Sequence, residues 1–217
     1  MEATVRNTVE EFEVDAEKLV EALGQPSNVD EYYRWLDIKN RRLVLDVGVD
    51  QMSVSDVVGH IIRYNREDKG IPVEIRKPII LYIVSPGGDV LSGFELIDIV
   101  EYSKTPIYTV NFGYQYSMAL PIGLAGKKRY ALPNASFLIH DGYIGVNDSS
   151  SKAQDWAEFL RRLDKREKEY ILSKTKITEE QFSAKERVDW YFFVEDAKAM
   201  GIVDYIVGID CDLDEIL

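Results

Sequence analysis

The stretch Pro78-Ile-Ile-Leu-Tyr-Ile-Val84-Ser-Pro-Gly-Gly-Asp89 decides the fold of this 217-residue chain. Its first part is a continuous apolar run, which is typical of a β-strand that is buried on both faces. Ser85, Pro86 and two glycines end the run, and residues 91–102 then show the apolar spacing of a helix. A buried strand that turns directly into a helix indicates an α/β protein with a largely parallel sheet.

The segments around this turn repeat the same alternation. Further strands are predicted at residues 43–49, 107–110, 129–132, 136–139, 190–193 and 202–206. Further helices are predicted at residues 53–64, 155–174 and 195–200, the first of them capped by Ser53 or Ser55. Residues 1–31 are read as an acidic N-terminal appendage and residues 32–217 as one principal domain.

The composition argues against several classes of function. With 38 acidic and 26 basic residues the formal net charge is −12, whereas a nucleic-acid-binding protein needs a basic surface. No apolar run approaches the roughly 20 residues that cross a bilayer. The N-terminus lacks the basic start and apolar stretch of a secretory signal, so we expect a cytoplasmic protein. One cysteine, Cys211, cannot form an internal disulfide.

The Ser85-Pro-Gly-Gly88 turn allows two interpretations. Paired glycines bring bare backbone N–H groups close to whatever lies above the strand end, and the next helix adds a partial positive charge there. These are the components of an oxyanion hole. The same residues also make a tight turn with Asp89 as the helix N-cap, and the turn alone favours this simpler interpretation.

A second candidate is the segment Gly113-Tyr-Gln-Tyr-Ser117-Met-Ala119. A serine between a buried strand and a helix is placed like a nucleophile, although the spacing differs from Gly-x-Ser-x-Gly. Taken alone, Ser117 is equally well explained as a helix cap.

Histidine is scarce, since only His60 and His140 occur. A serine nucleophile normally needs a base, and histidine is the commonest one. His60 lies inside a predicted helix, whereas His140 ends an apolar strand, where α/β proteins place their sites. Taken alone, His140 is also explained as a hydrogen-bonded residue at the sheet edge. Two distant histidines and one cysteine make no metal cluster, and we expect neither a metal nor a cofactor.

Four sequence segments, taken together in their order along the chain, resemble those of one protein family. They are Ser85-Pro-Gly-Gly88, Tyr116-Ser-Met-Ala119, Leu132-Pro-Asn134 with Ile139-His140, and Asp189 ahead of Gly201-Ile-Val-Asp204. In this order and rough spacing, over about residues 32–208, the chain resembles the proteolytic subunit of the caseinolytic (Clp) protease, ClpP.

The resemblance implies a serine endopeptidase that hydrolyses peptide bonds through an acyl-enzyme. Ser117 would be the nucleophile, His140 its general base, and Asp189 the residue that orients the imidazole. The backbone N–H groups of Gly88 and Met118 would hold the oxyanion. Asp189 rests on the resemblance alone, because nothing else distinguishes it among 38 acidic residues.

The resemblance also implies a fold and partners. The family has a crotonase-like α/β core with a protruding helical handle, which residues 152–175 would form here. Handles join rings of seven subunits, so a heptamer or tetradecamer is expected, with peptide or unfolded protein as substrate and a Clp-type ATPase unfoldase as partner. Substrate peptide would add as a strand, flanked here by Val90, Leu91, Ser92, Gly142, Tyr143 and Ile144.

The chain departs from the family pattern in three places. Asp141-Gly142 follows the histidine where Gln-Pro is usual. Tyr114 and Tyr116 precede the nucleophile where small residues are usual, which predicts a narrower cleft. Residues 1–30 do not resemble the family's N-terminal loop, so the resemblance does not extend to the segment that contacts the ATPase.

Two other functions stay open at this stage. One is a ring subunit without activity that scaffolds or regulates a true ClpP, which the tyrosines and Asp141 favour. The other is a crotonase-type enzyme acting on acyl-CoA, which shares the fold and the oxyanion hole but needs no Ser-His-Asp set.

Overall fold

The computed structural model describes residues 26, 28–142, 150–185 and 187–217. They belong to two compact units, one that ends at Asn40 and one that spans Arg41–Leu217. In the first unit, helix α1 (Val29–Lys39) is capped by Asn28, whose side chain accepts a hydrogen bond from the N–H of Glu31. The domain boundary predicted after residue 31 lies within α1, whereas the two units divide after Asn40.

The described residues of the second unit form one seven-stranded sheet. Its strands are β1 (Arg42–Leu45), β2 (Ile79–Ser85), β3 (Ile107–Tyr116), β4 (Lys128–Ala131), β5 (Ser136–Ile139), β6 (Trp190–Phe193) and β7 (Tyr205–Ile206). The path β1-β2-β3-β4-β7 is parallel throughout, as the continuous apolar run in β2 predicts. β5 lies off this path, parallel to β3 and antiparallel to β6.

Helices follow the strands in the predicted alternation. They are α2 (Gln51–Glu67), α3 (Val90–Tyr102), α4 (Ala119–Leu124), α5 (Ser150–Lys174), α6 (Glu179–Ser183) and α7 (Val194–Ala199), with 3₁₀ turns at Val73–Ile75 and Leu213–Ile216. The predicted cap of α2 was wrong. Asp50 is the N-cap, and Ser53 closes a capping box from the third helical position.

The long strand β3 changes partner along its length. Tyr108 to Asn111 pair with β4, and Tyr114 to Tyr116 pair with β5. The buried Asn111 side chain occupies the point of division: its amide nitrogen donates to the carbonyl oxygen of Ser136 at 3.1 Å, and its oxygen accepts from the N–H of Gly113 at 2.9 Å. The carboxyl ends of β3 and β5 therefore lie side by side.

Gly87 makes the turn after β2 fit against the end of β3. Its φ is +85°, and a methyl group there would stand 2.6 Å from the carbonyl oxygen of Tyr116 and 2.7 Å from Cβ of Ser117. On the other side of the turn, the N–H of Val49 donates to the carbonyl oxygen of Gly87 at 2.9 Å. Only glycine meets both the angle and the close approach.

In the described ranges, no helix is both long and apolar enough to pass through a bilayer.

Replacing Gly87 with alanine tests this close approach, and Gly70 provides a matched control. Gly70 has a similar φ of +91°, but a methyl group there meets nothing within 4 Å. Both substitutions force a side chain into the left-handed region, and only Gly87→Ala also overpacks the turn, which typically costs about 1–3 kcal/mol more. Urea denaturation measures both, and equal losses of unfolding free energy would contradict this account.

Candidate active site

Ser117 is held in a strained backbone conformation between β3 and α4. Its φ is +52°, which few residues other than glycine adopt. Its N–H donates to the carbonyl oxygen of Leu138 at 2.9 Å, and its own carbonyl accepts from the N–H of Leu120 at 3.0 Å. Strain of this kind persists only where the surroundings fix it, and it is concentrated at functional sites.

His140 and Asp189 lie next to each other just beyond the ends of two paired strands. The last antiparallel pair joins Ile139 of β5 to Trp190 of β6. His140 follows the first and Asp189 precedes the second, so Nδ1 of His140 and Oδ1 of Asp189 are 3.6 Å apart. Their side chains are 30% and 61% exposed, so solvent screens the attraction between them.

Ser117 and His140 line the same pocket, of about 710 Å³. Both belong to the β3–β5 pairing, since the N–H of Ser117 binds Leu138 two residues before His140. Among the hydrogen bonds of the described residues, none joins the hydroxyl of Ser117 to the imidazole. Hydrogen bonds between catalytic groups are often long without substrate and tighten in the Michaelis complex.

The proposed oxyanion donors, Gly88 and Met118, lie on segments that meet at Gly87. A methyl group on Gly87 would be 2.8 Å from the backbone nitrogen of Met118. The Met118 side chain is fully buried and packs directly against Gly93 of α3. Within the described part of the chain, no acceptor takes a hydrogen bond from the N–H of Gly88 or Met118. Gly88 is exposed, whereas Met118 has no exposed surface.

The predicted peptide-flanking residues have different surroundings. Val90, Leu91 and Ser92 form the first turn of α3, and Ser92 is buried with its N–H and hydroxyl both 2.7 Å from Oδ2 of Asp89. Asp89 is thus the N-cap that the simpler interpretation predicted. Gly142 is exposed and lines the pocket. Tyr143 and Ile144 lie outside the described residues.

Tyr114 and Tyr116 contact other aromatic rings. Their ring centroids are 5.0 Å apart, and Tyr116 also meets Tyr191 edge-on at 5.7 Å. The Tyr116 hydroxyl lies 2.9 Å from the Ser136 hydroxyl. Neither ring is among the described residues that line the pocket beside Ser117, so the expected narrowing does not affect that pocket.

Sequence reasoning missed Glu167, an acidic side chain in the same pocket. It lies on α5 one turn after Leu163 and one turn before Ile171, both of which are buried. Burial, with a smaller contribution from Asp164, raises the pKa of Glu167 to about 7. The available signal was the four-residue spacing, which puts a carboxyl group in the middle of the apolar stripe.

Glu167→Gln tests the raised pKa through stability. An acid whose folded-state pKa is raised stabilises the fold below its ordinary pKa, and this contribution is lost as the pH rises through the folded value. The wild type should therefore lose up to roughly 3 kcal/mol between about pH 4.5 and pH 7. The glutamine variant should be more stable than wild type at about pH 8 and similar at about pH 4.

Thermal unfolding at both pH values measures this difference. Glu158→Gln, at an exposed site on the same helix, is the matched control and should change little at either pH. A Glu167→Gln variant less stable than wild type at about pH 8 would disprove the assignment.

In the part of the chain that the structure describes, no group of three or more His, Cys, Asp or Glu side chains is placed to hold a metal ion.

Comparison with known proteins places this chain in a family. The family model for the Clp protease matches residues 25–210. The ATP-dependent Clp protease proteolytic subunit 1 of Streptomyces avermitilis is 31% identical over 185 residues, which cover 84% of this chain and 82% of that protein. A solved structure of a ClpP1 variant from Listeria monocytogenes has the same fold, with a TM-score of 0.71 at 24% identity over 86% of this chain and 99% of that one. The predicted ClpP-like α/β fold is confirmed, and the chain belongs to the Clp protease family.

Proposed function

We propose that this chain is a serine endopeptidase subunit that cleaves peptide bonds through an acyl-enzyme. The observation that most directly supports the proposal is the pairing of β3 with β5. It brings a strained Ser117 into the pocket that His140 lines, and His140 is 3.6 Å from Asp189. Membership of the Clp protease family supports the same reaction.

In this mechanism the hydroxyl of Ser117 attacks the peptide carbonyl, and His140 accepts the hydroxyl proton as general base. His140 then donates that proton to the leaving amine, which departs and leaves an ester on Ser117. Water repeats the sequence and releases the acid. Asp189 faces Nδ1 of the imidazole, so it favours the tautomer with a free Nε2 and stabilises the imidazolium.

The negative charge that develops on the carbonyl oxygen would be held by the N–H groups of Gly88 and Met118. Both are backbone donors fixed by close contacts around Gly87, so they need no reorganisation during the reaction. Loss of one such donor typically lowers the rate by about 10²–10³. We therefore assign these two amides as the oxyanion hole.

A second candidate function is a ring subunit that scaffolds or regulates an active ClpP. The observation in its favour is that the described residues contain no hydrogen bond between Ser117 and His140, while Nδ1 of His140 and Oδ1 of Asp189 are 3.6 Å apart. The labelling experiment below separates the two candidates, because only an activated serine reacts with a fluorophosphonate.

We also propose that the chain assembles into a ring and acts with an ATPase. The relative from Streptomyces avermitilis is named a subunit of an ATP-dependent protease, which supports assembly with other chains and action with an ATPase. The predicted handle corresponds to α5 (Ser150–Lys174). Trp156 and Phe159 stack at 5.3 Å on this helix and remain 43% and 39% exposed, an apolar surface suited to a second copy of the chain.

Fluorophosphonate labelling tests the catalytic proposal. The wild type should be labelled covalently, and Ser117→Ala should lose both the label and the hydrolysis of an unstructured peptide, because the nucleophile is gone. Ser55→Ala, at an exposed position on α2, controls for the loss of a hydroxyl and should retain both. Retained labelling in Ser117→Ala would disprove the assignment, and no labelling of a folded, assembled wild type would favour the regulatory subunit.

Replacement of Trp156 by aspartate tests the assembly surface. The substitution places a charge where we expect an apolar contact between copies, so the assembly should dissociate into smaller species. Light scattering coupled to size-exclusion chromatography measures the mass of each. Glu158→Gln, on the same helix, should leave the mass unchanged, and a monomeric wild type would contradict the proposal.

A further inference from the structure

The proposed mechanism leaves Glu167 without a role, although this residue lines the pocket that holds Ser117 and His140. Leu120, three residues after Ser117, lines the same pocket and is fully buried. Ile171 lies one turn further along α5 and also lines it. The nucleophile and the carboxyl group therefore share one pocket, whose lining combines apolar side chains with charged ones.

Glu167 has no cationic partner among the described residues. The neighbouring lysines are engaged elsewhere, since Lys165 pairs with Glu169 at 3.6 Å and Lys168 pairs with Glu179 at 2.7 Å. Another carboxyl group, Asp164, adds to the effect of burial on Glu167.

The other charged groups around the pocket do not compensate Glu167. Asp164 is itself influenced by Asp141, which follows the end of β5, so the electrostatic neighbours of Glu167 are acidic. Arg161 and Arg187 line the pocket, but among the described residues neither forms an ion pair with Glu167. The pocket therefore holds a carboxyl group whose ionised form lacks a counterion.

The oxygens of Glu167 are also accessible from the pocket. In the described residues that are not exposed, every side-chain oxygen or nitrogen atom that is shielded from solvent has a hydrogen-bond partner. Glu167 is only partly exposed, has no such partner and is a lining residue of the pocket, so its oxygens keep some contact with open space. A ligand that enters the pocket can reach them.

We propose that this pocket receives the side chain on the acyl side of the scissile bond and selects lysine or arginine there, with Glu167 as the residue that pairs with the cation. The inference rests on the proposed peptidase function. Leu120, Leu138 and Ile171 provide apolar walls for the methylene stem of such a side chain, while the carboxyl group meets its charged end.

The electrostatics of the free pocket support this choice. Burial disfavours ionised Glu167, and a substrate cation would offset that penalty by supplying the missing counterion. A neutral side chain of the same length cannot do so. Removing one member of a desolvated charge pair typically weakens binding by more than about tenfold.

Peptide binding to the Ser117→Ala protein tests the selectivity without turnover. Two fluorescent peptides would be compared at about pH 8 by anisotropy, one with lysine and one with Nε-acetyllysine at the selected position. The lysine peptide should bind at least about tenfold more tightly. Adding Glu167→Gln should abolish the difference, and adding Glu158→Gln should preserve it. Equal affinity of the two peptides for the Ser117→Ala protein would overturn the proposal.

The pH dependence of this preference gives a second readout. With a pKa of about 7, Glu167 is protonated at about pH 5.5, so the preference for lysine should shrink there and return at about pH 8. The other titratable or charged groups at the pocket come from each element around it: His140 and Asp141 beyond β5; Arg161, Asp164, Lys165, Lys168 and Glu169 on α5; Glu179 on α6; and Arg187 ahead of β6. Loss of the pH dependence in Glu167→Gln assigns it to Glu167, and its persistence there would overturn the assignment.

Hydrolysis by the wild type separates the two proposals. If it cleaves lysine and acetyllysine substrates with equal kcat/KM, the selectivity is wrong while the peptidase function stands. If it cleaves neither and takes no fluorophosphonate label, the peptidase function fails, and the binding ratio still decides whether Glu167 selects a cation. A kcat/KM at least about tenfold higher for lysine, lost in Glu167→Gln, supports both.

Discussion

The pairing of β5 with the far end of β3 is the constraint on which the site depends. β4 pairs with β3 only as far as Asn111, and β5 takes its place beside the far end that leads to Ser117. Asn111 makes the division possible because its side chain satisfies the backbone groups of Gly113 and Ser136 where the two partners separate. Buried backbone groups without partners are costly, so this one amide permits the geometry that the proposed chemistry requires.

Two kinds of electrostatic environment meet in the pocket. His140 and Asp189 lie at open strand ends, where water screens their interaction, so orientation rather than charge is the main contribution that Asp189 can make. Glu167 lies on the apolar stripe of α5, where its charge is poorly solvated. A partly desolvated charge discriminates between ligands far more strongly than an exposed one, because its counterion must come from the ligand.

The sequence was sufficient for the alternation of strands and helices in the second unit and for the family, since apolar runs and four short motifs indicate them directly. It did not predict α1, and the strands predicted at residues 43–49 and 202–206 are shorter in the structure, Arg42–Leu45 and Tyr205–Ile206. It was insufficient where tertiary contacts decide. β3 was predicted to end at Val110, yet hydrogen bonds to β5 extend the strand to Tyr116. Asp189 has no local signature, and its proximity to His140 follows from the β5–β6 register. The position of Glu167 was visible in the helical spacing, but its missing counterion was not.

The proposed catalytic groups differ in how firmly the fold holds them. The Ser117 backbone, Gly87 and Met118 are fixed by main-chain hydrogen bonds and contacts that exclude even a methyl group. His140 and Asp189 both lie one residue beyond the last paired residues of their strands and keep substantial exposure. Adjustment on the histidine side, together with rotation of the Ser117 hydroxyl, can therefore bring Ser117 and His140 into a hydrogen bond. A peptide that fills the pocket contacts that side directly, so substrate binding itself provides the means to complete the site.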